Sequence, residues 1–122
     1  MHHVALIRSV HHETIDHNAG AYYTLTGRAP LRGNELIVSE NSKNFPPFGS
    51  VLAQLRPITK SLPPFVHLPD IMFNNGSEIP GERAGFLGAA WDPLVAGDPS
   101  IPGYRVPGLT LPRGMSLRRL SR

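Results

Sequence analysis

The chain contains no cysteine, which excludes a disulfide framework and a thiolate zinc site but leaves the compartment open. No stretch approaches the ~20 consecutive apolar residues needed to span a bilayer. Charge is sparse as well. Asp, Glu, Lys and Arg make up 17% of the 122 residues, and the formal excess is +3. A nucleic-acid binder presents a denser basic stripe among exposed aromatics, so no nucleic-acid partner is expected. The basic residues that do gather, Arg113, Arg118, Arg119 and Arg122, read as a solvated helix start, because a charge run alone specifies little. Met1-His2-His3-Val4 lacks the basic and apolar regions of a signal peptide. An export signal is therefore expected upstream of Met1 if the protein is exported.

What the chain has in excess is backbone punctuation. Its 12 glycines and 13 prolines are about a fifth of all residues, where roughly 12% is usual. Proline lacks a backbone donor and interrupts helices and central strands, so turns and extended loops must occupy much of the length. Apolar clusters nevertheless recur throughout, and no short repeat is visible.

Val4 to Val10 (VALIRSV) reads as a strand, with Val4, Ala5, Leu6 and Ile7 in one apolar run. Continuous rather than alternating apolar residues indicate a strand buried on both faces. Such a strand demands neighbours and covering helices that the rest of the chain hardly offers. A polar stretch, His11 to Gly20, precedes a short helix from Asn18 to Leu25, with Asn18 or His17 near its cap and Gly27 closing it. Strand, polar loop and helix in that order is the usual setting for a site at the carboxyl edge of a parallel sheet.

Phe48, Val51, Leu52 and Leu55 follow the i, i+3, i+4, i+7 spacing of a helix. Pro47 is placed in its first turn and Pro57 beyond its end. Pro64 to Leu68 reads as a second short strand. From Phe73 to Pro112 turn pairs dominate, among them Asn75-Gly76, Pro80-Gly81 and Asp98-Pro99. So long a loop-rich excursion is unusual in a compact domain and natural over a larger sheet. Leu109 to Pro112 reads as a short extended piece. Ser116 to Leu120 starts a helix that is not completed, so residues 1–122 read as a single partial domain, an internal segment of a larger one.

The best local signal for chemistry is His11, His12, Glu13, Asp16 and His17 within seven residues. Neutral imidazoles and carboxylates are ligands for zinc and similar ions. His17 also lies at a helix start, where backbone N–H groups favour an oxyanion. The plainer reading is a polar loop of solvated or capping histidines, since no HExxH-type motif is present. His2 and His3 read as polar flanking residues, His67 as a hydrogen-bonded core histidine, and Trp91 as an anchor for the long loop.

Several pieces in order resemble one family. They are Ala5-Leu6-Ile7-Arg8-Ser9-Val10-His11-His12, His17-Asn18-Ala19-Gly20 and Leu25-Thr26-Gly27-Arg28-Ala29-Pro30, followed by Phe45-Pro46-Pro47-Phe48-Gly49-Ser50-Val51, Leu62-Pro63-Pro64-Phe65-Val66 and Gly85-Phe86-Leu87-Gly88-Ala89-Ala90-Trp91-Asp92-Pro93. Together they resemble the bacterial domain of unknown function 1501, common in planctomycetes and similar to sulfatases of the alkaline phosphatase superfamily. The resemblance covers nearly the whole chain. It implies an α/β fold, here part of a doubly wound, loop-rich sheet, and a periplasmic or secreted parent. It also implies a divalent metal ion of the zinc or calcium class at the carboxyl ends of the strands, and a sulfated or phosphorylated small molecule or glycan as partner.

Sulfatases of that superfamily mark their nucleophile loop with Cys-x-Pro-Ser-Arg followed by Leu-Thr-Gly. Counting back from Gly27 puts His17 at the Cys position, and Asn18 to Ala21 on the next four. None of the catalytic identities is retained. The resemblance thus assigns His17 as the catalytic residue, as metal ligand, nucleophile or acid/base. Asn18 becomes a substrate contact, with His11 and His12 as further metal ligands. It implies a fragment of a metal-dependent sulfate- or phosphate-ester hydrolase. The alternative is a non-catalytic relative that binds sulfated glycans or a partner protein, because activity belongs to the site and not to the fold.

Overall fold

Asp16 opens the first helix, α1 (His17–Thr26), by accepting the Ala19 backbone N–H on its carboxylate at 2.8 Å. The sequence places the cap at His17 or Asn18; the aspartate one residue before His17 takes it, because its backbone is extended and its side chain reaches forward to an N–H without a helical partner. Gly27 ends the helix at φ 67°, donating its N–H to the Tyr23 carbonyl at 2.9 Å. The computed structural model describes residues 4–56 and 63–109. His2, His3, Pro57, the extended piece beyond Leu109, the helix expected from Ser116 and the four clustered arginines lie outside the described residues.

The architecture is mixed α/β and loop-rich, with three two-stranded sheets among the described residues. β1 (Leu31–Arg32) and β2 (Glu35–Leu36) form an antiparallel hairpin. α2 (Phe48–Leu55) follows. β3 (Val66–His67) pairs in parallel with β6 (Leu94–Val95), matching Val66 to Leu94 and His67 to Val95. That pairing continues in the bonds from Leu94 N–H to Phe65 O and from Ala96 N–H to His67 O, at 2.9 and 3.0 Å. Between them, β4 (Phe73–Asn74) and β5 (Ser77–Glu78) form a second hairpin. Its turn residues Asn75 and Gly76 both have positive φ, 51° and 78°, the conformation that tight hairpins require and these two residues accommodate. Two single 3₁₀ turns, Gly85–Leu87 and Ala89–Trp91, complete the chain path.

The strand expected over residues 4–10 does not form. Residues 4–15 carry no regular structure, and Val4, Leu6, Ile7 and Val10 are between 72% and 82% exposed. A strand with two apolar faces needs backbone partners on its flanks, and no strand among the described residues pairs with this one.

The core is built from small side chains and buried polar groups. Ala19, Tyr22, Ile37, Ala53, Ile71, Ala84 and Ala96 are buried, and so are Asn18, Asn44, Ser50 and Glu82. The Tyr22 hydroxyl accepts the Phe45 N–H at 3.0 Å. Asn44 accepts from Arg32 Nη2 at 2.8 Å and donates to Ser39 O at 3.1 Å. Residue 85 must be glycine: its φ is +52°, and a Cβ there would fall 2.1 Å from the Asn44 carbonyl oxygen.

α2 occupies the residues its spacing predicts, with Pro47 just outside the first turn rather than within it. Ser50 and Ala53 face inward, and Ser50 Oγ donates to Trp91 O at 2.7 Å. Phe48, Leu52 and Leu55 point away from the core. With Phe45, Phe86 and Arg28 they line an open groove, and the Arg28 guanidinium lies 4.8 Å from the Phe45 ring centre. His67 is half-buried and meets Phe65 edge-on at 5.0 Å. No side-chain hydrogen bond holds it among the described residues, so ring packing takes the place of the hydrogen bond expected of it.

Candidate functional site

The irregular segment before α1 folds back along the helix and leaves an open cleft of about 600 Å³. His11, His12, Glu13, Thr14, Ile15, Asp16, Tyr23 and Leu36 line it. His11 Nδ1 lies 3.2 Å from Ser9 O. The His12 ring sits over the helix, its Cε1 3.0 Å from the point where a Gly20 Cβ would be. Tyr23, one turn further along the same face, stands 6.0 Å from the His12 ring centre at an interplanar angle of 33°.

Of the four site residues expected from sequence, the cleft gathers His11 and His12. His17 is exposed at the first position of α1 and does not line it. Asn18 is buried on the opposite side: its Nδ2 donates to Val38 O and its Oδ1 accepts from Asn74 Nδ2, both at 2.7 Å. An amide so engaged ties α1 to the segment that follows β2 and to the β4–β5 hairpin, which is a structural role. Sequence reasoning overlooked Tyr23 and Gly20. The spacing i, i+3 on one helix face was the available signal, but only the folded-back loop gives it meaning.

The cleft is acidic in its fixed charges. Glu13 and Asp16 line it, and among the described residues neither Lys nor Arg does. The Asp16 carboxylate also occupies the end of α1 where an incoming anion would meet free N–H groups. Imidazole and carboxylate are the right donor types for a divalent ion. Yet among the described residues no three His, Asp or Glu side chains converge to hold one. The described residues therefore do not fit a metal centre by themselves.

A second polar cluster lies in the body of the fold. Arg83 bonds Glu78 through Nε at 2.8 Å and Nη2 at 2.6 Å, and approaches Asp92 at 3.7 Å. The bond from Arg83 holds the Glu78 carboxyl below its ordinary range, and the same pairing pushes the Arg83 guanidinium up. Burial pushes Glu40 up, opposed by the N–H groups of Gly81 and Asn41. Burial likewise raises Glu82, opposed by the Met72 N–H at 2.7 Å and by His67. A cavity of about 380 Å³ lies beside Glu40, Glu78, Arg83 and Asp92. Its charged groups are already paired or bonded to backbone, and they join segments distant in sequence.

Residues 1–122 match the family model described as Protein of unknown function (DUF1501). No curated protein and no solved structure matches the chain.

Proposed function

The chain belongs to the DUF1501 family, and from that premise we propose that it is a segment of a sulfatase-like protein. In this reading the parent has the doubly wound sheet of the alkaline phosphatase superfamily and hydrolyses sulfate or phosphate esters of small molecules or glycans outside the cytoplasm. The observation that carries the reading is the cleft at the amino end of α1, where His11 and His12 stand with Glu13 and Asp16. Imidazoles there can take up and return a proton. His17, exposed at the start of the same helix, is the residue assigned proton transfer or nucleophilic attack, and Asn18 fixes the helix that presents it. A zinc- or calcium-class ion would require ligands beyond the described residues. The exposed apolar run over residues 4–10 is consistent with such a parent, because its greasy faces need cover from further protein.

Turnover of aryl sulfate and aryl phosphate esters, with zinc or calcium and with chelator, tests this reading in the intact parent protein, as wild type, His12→Ala and His17→Ala. Metal-dependent hydrolysis lost in either variant supports it. Absence of turnover with every metal, or turnover untouched by both substitutions, sinks it.

The second reading is a non-catalytic relative that binds a partner protein. It is favoured by the outward apolar stripe of α2, where Phe48, Leu52 and Leu55 are exposed together. Contiguous exposed apolar surface marks contact sites more often than scattered residues do.

A further inference from the structure

We propose that Gly20 and Tyr23 are positioning residues, which together seat the His12 imidazole on the outer face of α1 and give it a fixed direction into the cleft. Glycine inside a helix is unfavourable relative to alanine, and Gly20 does not have the positive φ that would demand it. The reason for its small size lies outside the backbone. A Cβ at this position would come within 3.0 Å of His12 Cε1 and 3.3 Å of His12 Nε2, so the ring fills the space that a side chain would take. Tyr23 closes the seat from the next turn, 6.0 Å between ring centres.

Packing alone holds this ring. Among the described residues no hydrogen bond from protein engages His12, whereas His11 contacts Ser9 O. The Cε1–Nε2 edge of the ring faces the helix, and His12 lines the cleft from this seat. A histidine on an irregular segment thereby acquires the rigidity of the helix beneath it, as a group that binds a ligand or moves a proton requires. The inference rests on the cleft geometry and not on ester hydrolysis.

The test is proton NMR of the full chain without metal or substrate, which separates this inference from the hydrolase reading. Wild type should show a cross-peak between His12 Hε1 and the Gly20 Hα protons, and His12 ring resonances displaced from those of His11 by the Tyr23 ring. Tyr23→Leu should lose both signals, and Tyr23→Phe should keep them. Gly20→Ala should lose the cross-peak while α1 keeps its sequential amide contacts. A wild-type spectrum without the cross-peak, or a cross-peak unchanged in Tyr23→Leu, overturns the seat. Tyr23 is exposed, so its variants decide the matter even if Gly20→Ala does not fold.

Discussion

Residues 4–15 and the body from Ile37 to Ala96 are opposites in how they use hydrophobicity. The first segment is rich in Val, Leu and Ile, yet those side chains point outward, while the His12 ring packs against α1. The body buries alanines, an asparagine, a serine and a glutamate, and is held by hydrogen bonds to backbone groups. The difference shows that burial follows the availability of partners, not apolar content alone. A small side chain with a satisfied polar neighbour is buried here, while a valine with no neighbouring strand is not. It also shows that the candidate chemistry sits where the fold is least constrained, which makes a device such as the His12 seat necessary.

The contrast is sharpest in the effect of added atoms. Gly85→Ala should be the most damaging change, because the new methyl would strike the Asn44 carbonyl and the residue would be locked at a positive φ. The expected cost is about 2–6 kcal/mol, the sum of a strained backbone and an overpacked contact. Thermal or urea unfolding would read it, and a change below ~1 kcal/mol would mean the body yields more easily than its close contact indicates. Asp16→Ala should cost about 1 kcal/mol, the usual value of a lost cap. Hydrogen exchange at the first turn of α1 should rise while Ile37 to Ala96 stays protected. A global loss of protection would break the distinction between the two regions.

Glu82→Gln should have the smallest effect, and the opposite sign. Burial raises the Glu82 carboxyl in the folded state, so the folded protein binds a proton more readily than the unfolded one. That stabilisation is complete below the ordinary carboxyl range and is lost as pH rises through the raised value of the folded state. Gln keeps an oxygen to accept the Met72 N–H and carries no charge. The variant should therefore gain on wild type as pH rises from 4 to 7, read as a widening difference in Tm. A variant that falls progressively below wild type over that interval would show that the carboxylate, not its neutral form, is what the body requires.

Much of the local structure was legible. Pro47 and the four apolar positions of α2 fix that helix, and Gly27 ends α1, because caps and periodicity act within a few residues. Asn75-Gly76 was readable as a turn for the same reason. The orientation of α2 was not, since its stripe of Phe48, Leu52 and Leu55 faces outward and the inward face depends on Trp91 and Phe65, far along the chain. Nor was the pairing of β3 with β6, which joins residues nearly thirty apart. At the candidate site, the His11–His12 cluster was visible as composition. The Asp16 cap was a local signal one residue before the positions read as the cap, whereas the role of Tyr23 as wall depends on the direction from which the loop returns to the helix.

The sequence by itself determined where the backbone turns, the span of α2, where α1 ends, and which residue types gather before α1. These follow from the conformational limits of proline and glycine and from hydrogen bonds closed within one turn. Tertiary structure alone decided that residues 4–10 pair with no strand among the described residues, that Glu82 is buried, and that His12 rather than His17 lies in the cleft. Each of those outcomes depends on atoms brought together from separated segments, whose hydrogen bonds and contacts exist only once the chain has folded.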